Sequence, residues 1–250
     1  MGIRNLINSA CFILLLGVAS CSPVLYSTTV QNTPLFKSKG EASVNASYAE
    51  SDDGAGVGLM AATAVTDHFA LITSYYHLSQ KANDTWKGKG SYFEFGGGYY
   101  SPIADTRFVY EVFVGAGWAN IHNENNGETV DVKYFKPFIQ PSIGITHKIY
   151  EIAFTPRIGV SSYTSHSITL TDPDQQVAAE KFFDDRKTTF VFEPGVTLRC
   201  GYKNIKGQLA VNLSSFTYAT DDNQEANINN TFITMGVNFL ISKRYAETAK

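Results

Sequence analysis

The chain has 250 residues, of which 17% are charged and 13% aromatic, and its formal net charge is −3. Such a balance does not provide the basic surface that nucleic-acid binding needs, so nucleic acid is excluded as an expected partner. The length suits one large all-β domain or two small ones, and the content of Tyr (14) and Phe (17) favours strands over long helices.

The N-terminus has the pattern of an export signal. Arg4 supplies a positive charge, and the apolar run FILLLGV at residues 12–18 is too short to span a bilayer as a helix. The motif VASC at residues 18–21 resembles the lipobox of bacterial lipoproteins. This resemblance implies a lipoprotein signal peptide over residues 1–20 and a mature N-terminus at Cys21 that carries fatty acyl chains such as palmitate. An ordinary signal peptide with a chance cysteine is the alternative.

Residues 21–39 are rich in Ser, Thr, Asn and Pro and show little periodicity. They are predicted to form a lipidated tether. Cys11 leaves with the signal peptide, and Cys200 then has no thiol partner, so no intramolecular disulfide is expected.

From residue 40 to residue 245 the sequence alternates between apolar and small or polar residues, which is typical of strands. Ten strands are predicted, near residues 40–50, 56–66, 69–81, 90–103, 107–122, 131–148, 150–167, 188–203, 206–220 and 230–245. Residues 246–250 are predicted to be a short tail. Eight strands would remain if the first two were irregular.

The predicted connections alternate in length. The even-numbered strands are followed by tight turns such as TDH and ADT, whereas the odd-numbered strands are followed by longer polar segments such as SDDGAG and NENNGETV. Short turns at one end, long loops at the other and an even strand count predict a single antiparallel transmembrane β-barrel, with periplasmic turns and extracellular loops.

The two faces of each strand support a membrane barrel. In the fifth predicted strand Phe108, Tyr110 and Val112 share one face, while Glu111 and Gly115 share the other. A lipid-facing apolar band around a lumen lined by Gly and polar residues explains this pattern, because a closed barrel pairs every backbone group.

The lipobox, the polar stretch with NTPLFKSKGE and the ten-strand pattern together resemble the outer-membrane β-barrel lipoproteins of Gram-negative bacteria, of the porin-like superfamily. The resemblance covers most of residues 18–245. It implies an outer-membrane location with a lipid anchor at Cys21 and contact with membrane lipid and lipopolysaccharide. The short turns place both barrel termini at the periplasmic end, so the tether is expected to hold the lipid on Cys21 in the inner leaflet. Many such barrels end on an aromatic residue, whereas here AETAK follows Tyr245.

Charged residues on the predicted lumen face are the main site candidates. Three are acidic and three are basic, which suggests pairing across a narrow interior: Glu94, Glu111, Glu193, Lys136, Arg157 and Arg199. Three polar residues are candidates to bridge them: Gln140, Asn212 and Asn238. These side chains either plug the barrel or line a narrow ion-selective pore. The partner expected for Glu111 is Arg157 or Arg199.

The segment TDPDQQVAAEKFFDDRK contains a helix-start signal, Asp172 followed by Pro173, and a helical stretch to about Phe183. It forms either a lid, with Val177, Phe182 and Phe183 folding over the barrel mouth, or a solvated extracellular loop. Small solutes or extracellular ligands are the candidate partners at such loops, and the sequence does not determine the oligomeric state.

No cofactor, metal or catalytic residue is expected, because no Cys/His metal spacing or nucleotide motif is present. Three histidines near the outer rim keep a hydrolase as a second alternative: His77, His122 and His166, with Asp84 and Asp131 as candidate partners. The expected function is that of a non-enzymatic outer-membrane lipoprotein with a charge-plugged lumen and a structural or surface-interaction role. The first alternative is a narrow porin-like channel for small solutes.

Overall fold

The computed structural model describes residues 25–26, 28–51, 54–79, 86–185, 187–218 and 226–245. The predicted signal peptide, Cys21 and the predicted tail lie outside the described residues. Among the described residues, no helix is long and apolar enough to cross a membrane.

Ten strands and one helix, α1, make up the described secondary structure. The elements are β1 (Ala42–Ser51), β2 (Gly54–Ala64), β3 (Phe69–Ser79), β4 (Lys87–Pro102), β5 (Phe108–Asn125), β6 (Glu128–Thr146), β7 (Tyr150–Thr169), α1 (Pro173–Asp185), β8 (Thr188–Tyr202), β9 (Ile205–Tyr218) and β10 (Ala226–Ile241).

The strands form one closed antiparallel barrel in which each strand pairs with its neighbours in sequence and β1 pairs with β10. Ala42 lies opposite Ile241, so the first strand begins and the last strand ends at the same end of the barrel. The predicted ten-stranded antiparallel barrel is confirmed, and the eight-stranded alternative is wrong.

The predicted contrast between the two ends holds only in part. At one end, called the turn end, β8 and β9 are joined by two residues. At the other end, called the loop end, α1 lies in the connection between β7 and β8, but β5 and β6 are joined by Asn126 and Gly127 alone. Both have positive φ, 47° and 90°, as a tight type I′ hairpin requires. The long loop expected from NENNGETV is therefore wrong: the strands continue through it.

Large apolar side chains cover the outside of the barrel. Val114 is 57% exposed and Met235 is 60% exposed, whereas Glu111, three residues before Val114 in β5, is fully buried. Because successive side chains in a strand point to opposite faces, a polar lumen and an apolar exterior follow from one alternating pattern. A soluble barrel would have the opposite arrangement.

Adjacent aromatic residues show the same alternation. Tyr75 and Tyr99 are exposed on the outer face, while their neighbours Tyr76 and Tyr100 are buried in the lumen. Exposed Trp118 stacks on Phe93 near the loop end, with ring centroids 6.2 Å apart. Aromatic residues at the strand ends are thus divided between an outer girdle and the lumen.

The segment that was expected to be a tether lies inside the barrel over its described part. Ten of its described residues are buried: Tyr26, Thr28, Thr29, Val30, Gln31, Asn32, Thr33, Pro34, Leu35 and Phe36. The chain leaves the lumen at the turn end, where the Gly40 N–H donates to the Ala64 carbonyl at 2.9 Å and β1 follows. We call residues 25–36 the lumen segment. It has no periodicity because the wall surrounds it on every side.

Candidate functional site

The lumen is the candidate functional site, because the strands direct every second side chain into it. The structure buries all nine of the lumen residues that the sequence suggested, each at 4% exposure or less: Glu94, Glu111, Glu193, Lys136, Arg157, Arg199, Gln140, Asn212 and Asn238. They do not form one network, however, but separate groups at different depths.

The first group, called the Lys136 cluster, contains Lys136, Arg157, Glu94, Glu193 and Gln140 and spans the lumen. Lys136 Nζ contacts Glu193 Oε2 at 3.0 Å, and Arg157 Nη1 contacts Glu94 Oε1 at 2.8 Å. Weaker contacts at 3.8 Å join each cation to the other carboxylate. Arg157 also donates to Gln140 Oε1 from Nε at 3.0 Å and from Nη2 at 2.6 Å. These residues come from β4, β6, β7 and β8, so the cluster connects walls that are not neighbours.

The lumen segment completes the Lys136 cluster. The Tyr26 hydroxyl donates to Glu193 Oε1 at 2.6 Å and accepts from Lys136 Nζ at 3.0 Å. The Thr29 hydroxyl donates to Glu94 Oε1 at 2.9 Å. A buried charge is tolerated when its hydrogen-bonding capacity is filled, and here two segment side chains help to fill it.

The second group, called the Arg199 cluster, contains Arg199, Glu151, Lys206 and Gln208. Glu151 accepts from Arg199 Nη1 at 3.1 Å and from Lys206 Nζ at 2.7 Å, and Arg199 Nε donates to Gln208 Oε1 at 2.7 Å. Glu151 and Gln208 lie directly opposite Arg199 on β7 and β9. The segment meets this cluster through its backbone, since Arg199 Nη2 donates to the Thr33 carbonyl at 2.8 Å.

Glu111 does not have the partner that was expected. Among the described residues no ion pair joins it to Arg157 or Arg199. Its carboxylate instead accepts from the Phe36 N–H at 3.2 Å and from the Ser142 hydroxyl at 3.3 Å. The prediction failed because the strands of a barrel are tilted and staggered. The depth of a residue in the lumen, and hence its partner on a distant strand, does not follow from its position in the sequence.

The three polar candidates also differ from expectation. Gln140 does bridge, because its amide donates to the Asn32 carbonyl at 2.9 Å while its oxygen accepts from Arg157. Asn238 instead accepts from the Ser43 hydroxyl at 3.0 Å. Asn212 Nδ2 has no hydrogen-bond partner among the described residues. The idea that Asn212 and Asn238 bridge the charges is therefore wrong.

Two glycines provide room for the lumen segment. A Cβ atom on Gly195 would lie 2.0 Å from Gln31 Oε1, and a Cβ atom on Gly144 would lie 2.7 Å from Leu35 Cδ2. Real Cβ contacts are essentially never this short, so a side chain at either position would force the Gln31 or Leu35 side chain of the segment to move. Gln31 uses the space to donate to the Glu193 carbonyl at 2.6 Å. Wall and segment are thus shaped to each other.

Sequence reasoning missed several lumen residues. Glu151 has the same strand parity as Arg157, and Lys206 and Gln208 share the parity of Asn212, so period-two counting extended toward the strand ends would have found them. The burial of residues 25–36 in the lumen was harder to predict. The sequence indicated it only through Val30, Leu35 and Phe36, which are apolar residues in a mainly polar stretch.

A further ion pair closes the turn end. Arg244, which follows β10, donates to both carboxylate oxygens of Glu41, which precedes β1; the Nε contact is 3.0 Å. The Ser242 hydroxyl donates to the same carboxylate at 2.6 Å. Burial raises the pKa of Glu41, but the hydrogen bonds and charge of Arg244 outweigh it, so the net pKa lies below the ordinary value.

The loop end is covered on one side by α1. The Asp174 N–H donates to Asp172 Oδ1 at 3.0 Å, so the predicted helix start at Asp172 is confirmed. Phe183 is buried against Trp86, Val130 and Ile168, whereas Val177 is 65% exposed. The C-terminal part of α1 therefore packs on the barrel wall as a lid would, and Val177 does not.

The rim histidines do not converge on the lumen. His122 Nδ1 lies 2.7 Å from Asp131 Oδ1, but both side chains are more than 40% exposed on the outer face of the β5–β6 hairpin. His166 stacks on Phe183 with ring centroids 4.9 Å apart, and His77 contacts the Ser91 hydroxyl at 3.2 Å. Asp84 lies outside the described residues. Within the described ranges, no group of three or more His, Cys, Asp or Glu side chains is arranged to hold a metal ion.

Comparison with known proteins agrees with the architecture. The structure is similar to that of OmpT, an outer membrane protease of Escherichia coli, with 10% identity, 82% of this chain and 94% of that chain covered, and a TM-score of 0.51. The N-terminal β-barrel domain of Pseudomonas aeruginosa OprF is 11% identical over 82% of this chain and 99% of its own, with a TM-score of 0.37. No family model and no curated protein matches the sequence. At this identity the likeness concerns the fold alone: the chain has the fold of an outer-membrane β-barrel.

Proposed function

We propose that this chain is a non-enzymatic lipoprotein of the Gram-negative outer membrane, with a lumen closed by its own N-terminal segment and a structural or surface-interaction role. The observation that carries the proposal is the lumen segment itself. Its side chains and backbone fill the space between the walls, from Tyr26 in the Lys136 cluster to Phe36 beside Glu111.

The exterior supports a membrane location. A continuous band of exposed Val, Leu, Ile, Phe and Met side chains surrounds the barrel, and large apolar patches of this kind are stable when lipid covers them. Aromatic side chains such as Trp118 and Tyr202 lie on the same face near the strand ends, where they suit the headgroup region. Membrane lipid and lipopolysaccharide are therefore the partners that the proposal assigns to the outer face.

The contacts of the segment support a permanent plug. Asn32 Nδ2 donates to the carbonyls of Ala61 and Thr73 at 2.8 and 3.1 Å, on the side of the lumen opposite to Gln140. Arg244 Nη2 donates to the Leu35 carbonyl at 3.0 Å near the turn end. Hydrogen bonds to charged groups contribute about 1.5–3 kcal/mol each, so a segment held at several depths is not expected to leave spontaneously.

Planar-bilayer conductance of the purified mature barrel tests this proposal. The wild type should show no discrete conductance steps. A variant lacking residues 25–36 should open a pathway, because the removed residues occupy the lumen. A matched control deletes residues 173–185 of α1 and closes the gap with a Gly/Ser linker; it should stay silent, because the lumen segment is retained.

Two results would contradict the proposal. Conductance steps in the wild type would show that the lumen is a passage despite the segment. Steps in the α1 deletion, with none in the segment deletion, would assign closure to α1 instead. Circular dichroism of each variant in detergent should confirm that the barrel has folded before conductance is interpreted.

A narrow solute channel is the second candidate function. Several buried polar atoms have no hydrogen-bond partner among the described residues, including both amide atoms of Asn45 and the hydroxyl of Thr234. These residues lie on β1 and β10 and face the lumen, and a channel function requires water to reach these buried groups when the passage is open. Ion selectivity that changes with Asn45→Asp in the wild-type background would favour this function over the closed barrel.

A further inference from the structure

The lumen segment has a definite direction. Near its start, the Tyr26 ring stacks on Tyr134 with centroids 5.2 Å apart, and Tyr134 lies in the part of β6 near the loop end. Near its finish, the Phe36 ring meets Tyr100 at 5.9 Å, and Tyr100 lies two residues before the end of β4 at the turn end. The chain therefore enters the lumen at the loop end and leaves it at the turn end.

The start of the segment is held at the loop end by several contacts. Leu25 packs against the apolar cluster formed by Trp86, Val130, Val132, Ile168 and Phe183. The Leu25 carbonyl accepts from the Tyr163 hydroxyl at 3.5 Å. This cluster joins the outer parts of β4, β6 and β7 to α1, so Leu25 is fixed beneath the helix that covers this end.

Chain reach then limits where the mature N-terminus can be. Only four residue steps separate Cys21 from Leu25, and four extended residues span at most about 14 Å. The hydrocarbon core of a bilayer is about 30 Å thick. An acyl group on Cys21 is thus too far from the membrane leaflet at the turn end.

We propose that the mature N-terminus emerges at the loop end, and that the acyl chains on Cys21 insert into the outer leaflet of the membrane. The proposal rests on the lipidation that the proposed function includes and on the expected orientation of the barrel, with the turn end in the periplasm. It revises the expectation that a tether would place the lipid in the inner leaflet, because that expectation required residues 22–39 to lie outside the barrel.

Both return routes to the other leaflet are blocked. Within the lumen, the side chains of the Lys136 and Arg199 clusters and the segment itself occupy the interior. Along the outer face, residues 21–24 would expose unpaired peptide groups to lipid, which costs several kcal/mol for each group. The short stretch before Leu25 is thus confined to the loop side.

Surface labelling of whole cells tests the proposal. A ten-residue epitope is inserted between Ser22 and Pro23, and antibody binding is compared between intact and permeabilised cells. Two control proteins carry the same epitope next to Val177 in α1, at the loop end, and next to Ala104 in the exposed turn between β4 and β5, at the turn end. The epitope after Ser22 should match the Val177 control, with equal binding in intact and permeabilised cells.

Binding that appears only after permeabilisation, as for the Ala104 control, would overturn the proposal. Incorporation of an alkyne fatty acid, compared with Cys21→Ala, reports lipidation separately. An unlipidated chain with a surface epitope would refute the lipoprotein part of the proposed function and the acyl insertion while leaving the exit at the loop end in place. A lipidated chain with an internal epitope would refute the exit at the loop end and the insertion into the outer leaflet, while leaving the lipidation in place.

A cross-link tests the path of the segment without an insertion. The hydroxyls of Thr28 and Ser214 lie 2.5 Å apart, so Thr28→Cys with Ser214→Cys should form a disulfide in cells when Cys200, which is exposed, is changed to Ser. The control pair Thr28→Cys with Ser43→Cys should not, because Ser43 bonds to Asn238 near the turn end. A cross-link in the control pair, or in neither pair, would show that the segment does not follow this path.

Discussion

The two charge clusters in the lumen use the same residue types but hold different parts of the molecule together. In the Arg199 cluster, Arg199 lies directly opposite Glu151 and Gln208, so the contacts fasten neighbouring strands to each other. In the Lys136 cluster, Arg157 lies opposite Glu193 yet makes its shorter ion pair with Glu94 on β4. One cluster strengthens the wall, and the other crosses the lumen.

The clusters also differ in their dependence on the lumen segment. Tyr26 and Thr29 supply side-chain hydroxyls to the Lys136 cluster, whereas the Arg199 cluster receives the Thr33 carbonyl, which any residue would provide. The comparison indicates that the identity of the segment's residues matters at the level of Lys136 and matters much less at the level of Arg199.

The largest expected effect is the loss of a cation from each cluster. Arg157→Met should lower the free energy of unfolding by roughly 3–5 kcal/mol, because it leaves the buried Glu94 carboxylate with the Thr29 hydroxyl at 2.9 Å and no cation nearer than Lys136 at 3.8 Å. Arg199→Met should lower it by roughly 1.5–3 kcal/mol, because Glu151 keeps Lys206 at 2.7 Å. Urea unfolding of the detergent-solubilised barrel measures both.

The double variant Arg157→Met with Glu94→Gln serves as the control for that measurement. Removing both charges should recover part of the loss, since the uncompensated carboxylate is the main source of it. Equal losses for Arg157→Met and Arg199→Met would mean that the two clusters are not distinct in the way described.

A steric change addresses the fit between wall and segment. Gly195→Ala should lower the free energy of unfolding by roughly 1–3 kcal/mol, because its Cβ would meet Gln31 and Asn212 within 2.3 Å. Gly90→Ala is the matched control, since its nearest neighbour would be Ile121 at 3.8 Å. In a variant lacking residues 25–36, the effect of Gly195→Ala should shrink; an unchanged effect would attribute the clash to Asn212 alone.

A smaller effect is expected from one hydroxyl. Tyr26→Phe should lower the free energy of unfolding by about 1 kcal/mol, because Glu193 loses one donor but keeps Lys136 at 3.0 and 3.1 Å. Tyr163→Phe, which loses a longer 3.5 Å contact to the Leu25 carbonyl, should have less effect. Thermal unfolding in detergent gives the order of the two, and the reverse order would argue against Tyr26 as part of the cluster.

The smallest effect concerns pH at the turn end. Because the pKa of Glu41 in the folded chain is below its unfolded value, the Glu41–Arg244 pair stabilises the barrel fully above the unfolded pKa of about 4.3. That contribution is lost as the pH falls through the lower, folded pKa. Arg244→Met should therefore reduce stability at neutral pH and flatten its decline toward about pH 3. If the stability of Arg244→Met declines with falling pH as steeply as that of the wild type, the Glu41–Arg244 pair is not a source of the decline.

Strand alternation made much of this structure predictable. The residues of β5, β7 and β8 could be assigned to the lumen or the exterior because each side chain alternates between two unlike environments. Aromatic doublets such as Tyr75–Tyr76 alternate in the same way, so one member of each pair faces the exterior and the other faces the lumen. Asp172 was recognisable as a helix start because local backbone geometry determines capping.

The partners of the lumen residues could not be predicted in the same way. Glu111 meets the Phe36 N–H because a non-periodic segment happens to pass it, and nothing in either local sequence encodes that meeting. The hairpin at Asn126 and Gly127, by contrast, could have been predicted from the sequence, since Asn-Gly between two alternating strands is a strong hairpin pattern. Contacts across the lumen depend on the tilt and stagger of the strands, which a single sequence does not reveal.

The pairing of β1 with β10 has a consequence for assembly. The lumen segment comes directly before β1, and β10 is the last strand, so closing this seam encloses the segment. Entry after closure would require Tyr26 to travel the length of a lumen already occupied by Arg157 and Lys136. We therefore expect the segment to act as an internal template, in place before the seam closes, so that biogenesis ends with the barrel wrapping around its own beginning.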